Sequence, residues 1–150
     1  MKIVQKNKNA YRNYNIEEKF EAGLELLGTE VKSIREGRIN IKESYCRFKG
    51  NELYLLKANI TPYAHSTYFN HEPDRKRKLL MHKRELRKLH SAVMQKGYTV
   101  VPLKVYFNNK GLAKLEIGLG KGKNIHDKRE DLKDKAIKRD IAKEMKYKDY

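Results

Sequence analysis

The fold of this 150-residue chain is decided by the stretch Lys19-Phe20-Glu21-Ala22-Gly23-Leu24-Glu25-Leu26. Its apolar residues alternate with charged residues or glycine, which is typical of a β-strand with one buried face and one face in water. Gly28 ends the alternation. The stretch therefore predicts a half-buried strand near the start of a mainly β domain.

Two hairpins are predicted further along the chain. Strand-like residues 45–49 and 52–57 flank Gly50-Asn51, which has the composition of a tight turn. Residues 98–107 and 113–117 flank a second turn, and Pro102 predicts a kink or an edge position in the first of these strands.

Two helices are predicted from apolar spacing followed by glycine, over residues 30–36 and over about 83–96. Residues 78–81, just before the longer helix, fit either a strand or its first turn. About six short strands with two or three peripheral helices indicate a small OB-fold-like closed barrel.

The composition is strongly basic, with 35 Lys and Arg against 19 Asp and Glu and a formal net charge of +16. Such an excess favours a polyanionic partner, with nucleic acid ahead of an anionic membrane surface. No run of eighteen apolar residues predicts a membrane span, and a lone Cys46 fits a reducing compartment, so we expect a cytoplasmic protein.

The chain divides into a predicted barrel over residues 1–120 and a basic tail over 121–150. The last thirty residues contain no Val, Phe or Trp but eleven Lys and Arg, too little apolar surface to offset the entropy of ordering them. Leu132, Ile137, Ile141 and Met145 would form a thin apolar stripe on a helix. We expect the tail to be disordered alone and helical on an RNA or ribonucleoprotein surface, with a membrane or an acidic partner as alternatives.

Basic residues cluster over 75–78 and again at Lys83, Arg84, Arg87 and Lys88. A solvated helix face is the plain interpretation, but acidic residues are nearly absent between 75 and 90. Phosphate binding is therefore favoured for this cluster, Lys83 included.

Two further residues are candidates for RNA contact. Glu21 lies on the polar face of the first strand and could accept hydrogen bonds from base amino groups or a ribose hydroxyl, or simply pair with a neighbouring cation. Tyr14 follows several cations and could stack on a splayed base, although for one aromatic residue alone a core position is favoured.

The glycine-rich run Gly118-Leu119-Gly120-Lys121-Gly122-Lys123 lacks the spacing of a phosphate-binding P-loop. Two interpretations remain open for it: a plain linker, or a hinge whose N–H groups and lysines lie against phosphate. No histidine pair has metal-ligand spacing, so no metal, cofactor or catalytic residue is expected.

Taken together, the motifs resemble the SsrA-binding protein (small protein B) family, the bacterial partner of transfer-messenger RNA in trans-translation. The resemblance covers residues 9–146. It is carried by these separated stretches in order: residues 14–24, 28–35, 44–45, 58–63, 70–73, 77–82, 120–123 and 126–129.

The resemblance implies an OB-fold barrel that binds the tRNA-like domain of transfer-messenger RNA and delivers that RNA to stalled ribosomes. Glu21, Leu80, His82 and Lys114 match residues of the family's RNA-binding face; the position of His82 is Asn in some members. Gly122, His126 and the triplet Asp127, Lys128 and Arg129 match residues by which the family's tail acts in the ribosomal decoding centre.

The expected mechanism is that the barrel grips the RNA while the tail enters an mRNA path left empty by a truncated message. The expected partners are transfer-messenger RNA and decoding-centre rRNA, with elongation factor Tu on the aminoacylated RNA left open and no membrane. Three rivals are a generic RNA-binding module, a membrane-surface protein and a nuclease using His126, Asp127 and Lys128. The nuclease is disfavoured because those residues lack a predicted pocket that would position them.

Overall fold

The computed structural model describes residues 1–66 and 69–123. Nine strands lie within this part of the chain: β1 Lys2–Lys6, β2 Tyr14–Leu24, β3 Ile39–Asn40, β4 Tyr45–Lys49, β5 Glu52–Leu56, β6 Asn59–Ile60, β7 Arg77–Leu80, β8 Thr99–Phe107 and β9 Ala113–Gly122. Three helices accompany them: α1 Lys8–Asn13, α2 Gly28–Arg35 and α3 Lys83–Lys96. The predicted mainly β class with two or three helices is confirmed.

Seven strands form one antiparallel sheet in the order β1-β8-β9-β2-β7-β5-β4, and β3 pairs with β6 separately. Register shifts interrupt β1, β2 and β8, and bulges of this kind bend and twist a sheet. Among the described residues no backbone ladder joins the edge strands β1 and β4, so the closure expected of a barrel is not confirmed.

The local predictions from sequence are largely confirmed. The half-buried strand is the second half of β2, and residues 78–81, where the sequence left a choice, begin as strand β7. The β4–β5 hairpin turns at Gly50-Asn51, and Pro102 lies at the register shift in β8. Helix α3 ends at Gly97, which adopts the left-handed conformation (φ 70°) that stops a helix.

The linker and hinge interpretations of residues 118–122 are wrong. These residues belong to β9, which pairs with β2 on one side and β8 on the other. Glycine is required at two of these positions because atoms of β2 lie very close to the β9 backbone. A Cβ at Gly118 would lie 2.8 Å from Ile16 Cγ2, and one at Gly120 would lie 2.7 Å from the Asn15 carbonyl oxygen. The strand thus extends two residues past the expected boundary at residue 120.

The core lies between the seven-stranded sheet and helices α2 and α3. Helix α3 contributes Leu89 and α2 contributes Ile34, both fully buried. They pack with strand residues such as Leu55, Leu79 and Ile117 in one cluster. No helix of the described part has both the length and the apolar character needed to cross a bilayer.

Candidate nucleic-acid interface

Backbone pairing brings residues from four strands into one row across the sheet. Gly23 of β2 lies opposite Leu80 of β7 on one side and Lys114 of β9 on the other, and Lys114 lies opposite Tyr106 of β8. Residues directly opposite in antiparallel strands share a face. Two of the predicted contact residues, Leu80 and Lys114, therefore flank a glycine, where a built Cβ would lie 3.6 Å from the Lys114 Nζ.

Glu21 lies two residues from Gly23 on β2 and so joins the same face. The hydroxyl of Tyr106 donates a hydrogen bond to the Glu21 carboxylate. Burial raises the pKa of Tyr106, and the hydrogen bond to Glu21 raises it further, so the phenol keeps its proton and remains a donor. One carboxylate oxygen is thereby held in place, while most acceptor positions of Glu21 remain available.

Charges alternate beside this row. Glu116 lies opposite Glu21 and pairs with Lys104, whose Nζ is 3.6 Å from Glu116 Oε2. In the described part of the chain, Lys114 has no ion-pair partner. The face thus offers an exposed apolar side chain at Leu80, an ordered acceptor at Glu21 and an unneutralised cation at Lys114.

His82 and Lys83 continue this face at the start of α3. Both side chains are exposed. His82 is the N-cap residue, and its backbone carbonyl accepts a hydrogen bond from the Leu86 N–H at 3.0 Å. The chain therefore leads directly from Leu80 to the basic end of the helix.

Tyr14 lies elsewhere. It is seven residues from Glu21 along β2, or about 23 Å at the rise of an extended strand. Its half-buried ring packs against a small second cluster that includes Ala10 and Leu103, which agrees with the core interpretation. Gly122 is its partner in β9, and the Lys123 N–H donates to the Asn13 carbonyl at 2.8 Å.

The remaining predicted tail residues lie outside the described residues: His126, Asp127, Lys128 and Arg129.

Phosphate binding is wrong for one member of the 75–78 cluster, Arg77, and a second member, Arg75, is engaged by the same carboxylate. Arg77 is fully buried, and its Nε donates to Glu30 Oε2 at 2.7 Å. Arg75 Nη2 donates to Glu30 Oε1 at 2.6 Å. Burial alone would raise the pKa of Glu30, but hydrogen bonds from Arg75, the Leu27 N–H and Arg77 outweigh it and lower that pKa. The two arginines thus neutralise a buried carboxylate of α2.

The lysines of the cluster are also engaged. Lys76 Nζ lies 4.5 Å from the centre of the Tyr54 ring, and Lys78 Nζ lies 3.4 Å from Glu52 Oε2. Lys88 on α3 pairs with Glu18 at 2.7 Å. Among the described residues, this leaves three cluster cations with neither an ion pair nor a ring contact: Lys83, Arg84 and Arg87.

Sequence reasoning missed Tyr106 as part of this face. Its contact with Glu21 joins residues 85 positions apart, and an aromatic residue in a strand-like run carries no signal of such a contact. In residues 1–66 and 69–123 no group of three or more His, Cys, Asp or Glu side chains could hold a metal ion.

Comparison with known proteins identifies the family. The model of the family "SmpB protein" matches residues 4–147. The SsrA-binding protein of Caulobacter vibrioides is 54% identical over 145 residues, covering 97% of this chain and 95% of the relative. That of Fervidobacterium nodosum is 48% identical over 147 residues, covering 98% and 99%.

A solved structure described as "tmRNA-SmpB: a journey to the center of the bacterial ribosome" superposes with a TM-score of 0.66 at 49% identity. It covers 84% of this chain and 92% of that chain. With a family match over nearly the whole length and relatives at about half identity, the chain belongs to the SmpB family.

Proposed function

We propose that this protein binds transfer-messenger RNA and acts with it on stalled ribosomes in trans-translation. Family membership supports this, because the curated relatives are named SsrA-binding proteins. The superposed structure is described as tmRNA with SmpB in the bacterial ribosome.

The observation that carries the proposal is the gathering of Glu21, Leu80 and Lys114 on one face by the strand register. Lys114 would neutralise a phosphate, which a cation without a protein partner can do at little desolvation cost. Glu21, held by Tyr106, would accept from a ribose hydroxyl or a base amino group. Leu80 would cover an apolar surface of the RNA.

His82 and Lys83 would extend this contact along the start of α3. Both residues are exposed and directly follow β7, which favours a second contact with the same RNA. Elongation factor Tu remains an open further partner. We infer a binding role without catalysis, which accords with the relatives' naming as binding proteins.

The tail would enter the empty mRNA path and contact the decoding centre through His126, Asp127, Lys128 and Arg129, and Gly122, the last residue of β9, would set the point from which the tail leaves the sheet. In this proposal residues 1–120 form an OB-like barrel and 121–150 the tail. Backbone hydrogen bonds hold the first three residues of this proposed tail, Lys121 to Lys123, against β2 and Asn13.

The test of the RNA-binding face is a salt series of equilibrium binding to the tRNA-like domain of transfer-messenger RNA. Lys114→Glu and Lys83→Glu are compared with Lys110→Glu, an exposed lysine of the β8–β9 turn. Each of the first two should weaken binding and reduce the slope of log K against log salt by about one, and the control should do neither. If all three variants match the wild type, the face is misassigned.

The tail is tested by truncation after Lys123, which leaves β9 intact. The truncated protein should bind the RNA normally but fail to support peptide tagging on stalled ribosomes. Normal tagging by this variant would contradict the proposed role of the tail.

A further inference from the structure

A groove of about 770 Å³ runs beside the proposed RNA face, between α3 and the β5–β7 part of the sheet. Its walls are mostly apolar, with Leu80 and Met81 on the strand side and Leu86 and Met94 on the helix side. The volume lies within the range of about 300–1,000 Å³ that accommodates small ligands.

Two of these wall residues are unusually open to water. Leu80 is 47% exposed and Met94 is 62% exposed. Both line the groove, so an occupant that fills it would contact both. Methionine also adapts its shape to what it contacts, which suits a binding surface.

Two cations on the rim of the groove have no ion-pair partner in the described part of the chain. Lys83 and Arg87 are four residues apart on one face of α3, both are exposed, and neither forms an ion pair among the described residues. Like charges at this spacing repel. The third rim cation, Lys78, is already paired with Glu52 at 3.4 Å.

An apolar slot edged by unpaired cations matches a molecule with a flat, weakly polar body and negative charge on either side of it. An unpaired nucleotide has this form: its base can leave the stack, and its phosphates flank it. The groove shares Leu80 with the RNA face, so RNA bound there would already lie beside the opening.

We propose that this groove binds one unpaired nucleotide of the RNA, with the base between Leu80 and Met94 and its phosphates at Lys83 and Arg87. The proposal rests on the proposed function and adds to it a specific pocket and a specific state of the bound RNA.

The test combines protein and RNA changes in the full-length chain with the tRNA-like domain of transfer-messenger RNA. Met94→Ala is compared with Leu112→Ala, an exposed apolar residue (54%) of the β8–β9 turn that does not line the groove. Because both side chains are largely exposed, circular dichroism melting should show both variants folded. Abasic substitutions are placed one at a time at the unpaired nucleotides.

Met94→Ala should weaken binding about tenfold, because the bound base would cover most of the methionine side chain and alanine offers little apolar surface in its place. At one unpaired position, the abasic substitution should weaken wild-type binding but add little to the loss in Met94→Ala, which shows that the two groups contact each other. Arg87→Ala should reduce the salt slope by about one. Leu112→Ala should bind like the wild type.

The proposal is overturned if no unpaired position couples to Met94, in which case the groove is left to a protein partner or a second copy of the chain. This result differs from failure of the proposed function. If the proposed function failed, the wild-type protein would not bind the RNA, or the Lys114→Glu variant would bind it as tightly as the wild type.

Discussion

Replacing Glu30 with glutamine should destabilise the protein strongly, because the carboxylate is the counter-charge for a guanidinium inside the core. Arg77 is fully buried and donates from Nε at 2.7 Å to Glu30, while Arg75 holds the other carboxylate oxygen at 2.6 Å. Glutamine keeps the shape but removes the charge and turns an N–H₂ group toward the arginines. Breaking a buried pair in this way costs about 3–5 kcal/mol.

For a folded body of this size, that cost corresponds to a fall in Tm of about 12–20 °C. Urea unfolding followed by circular dichroism measures the loss in free energy of unfolding, and a thermal melt measures the fall in Tm. The matched control is Glu18→Gln, which removes a 2.7 Å pair with Lys88 whose side chains are 41% and 58% exposed. Exposed pairs contribute about 1 kcal/mol or less. A loss in Glu30→Gln no larger than that of the control would refute this account of the buried pair.

The pH dependence follows from the lowered pKa of Glu30. The folded pKa lies below the unfolded value of about 4.3, so the carboxylate's contribution is complete above that value and is lost as the pH falls through the folded pKa. The stability difference between wild type and Glu30→Gln should therefore be constant from pH 7 to about 5 and shrink below about 4. A difference that grew on acidification would contradict this sign.

Three further outcomes are expected. Gly120→Ala should cost about 1–3 kcal/mol in urea unfolding because its Cβ would lie 2.7 Å from a backbone oxygen, while Gly28→Ala, with nothing within 4 Å, should be nearly neutral; equal effects would contradict the close packing of β9. Cys46 is buried and burial raises its pKa, so a thiol reagent at pH 8 should modify it only after unfolding; rapid modification of the folded protein would place it at the surface. Tyr106→Phe should weaken binding to the tRNA-like domain but have little further effect in a Glu21→Gln background, since the hydroxyl acts through that carboxylate; additive losses would separate the two residues.

Much of the local structure could be predicted from sequence because its signals are local. Gly97 ends α3 where expected, since glycine readily adopts the left-handed conformation needed there. The alternation around Phe20 and Ala22 predicted a strand, because side chains in a strand point to opposite faces in turn. The family resemblance stated from motif order is confirmed by the match over residues 4–147.

The roles of the arginines and glycines were decided by contacts between distant residues. In the sequence Arg77 is indistinguishable from its basic neighbours. In the structure it is buried and donates a hydrogen bond to Glu30, 47 positions earlier. Gly118 and Gly120 suggest flexibility, but β2 and β8 enclose them on both sides and make the same run a strand. Composition cannot distinguish an exposed cation that is available to bind phosphate from one that neutralises a buried carboxylate.

By itself, then, the sequence determined the mainly β class, the turns and helix ends, the strongly basic character and the family. The resemblance grouped Glu21, Leu80 and Lys114, and the tertiary structure supplied the strand register that places them on one face. Only the tertiary structure decided that Tyr106 holds Glu21 in place and that Lys83 and Arg87 edge a groove. The physical reason is that turns and caps depend on the backbone preferences of a few adjacent residues. A binding face depends on strand register and burial, which arise only when distant segments pack together.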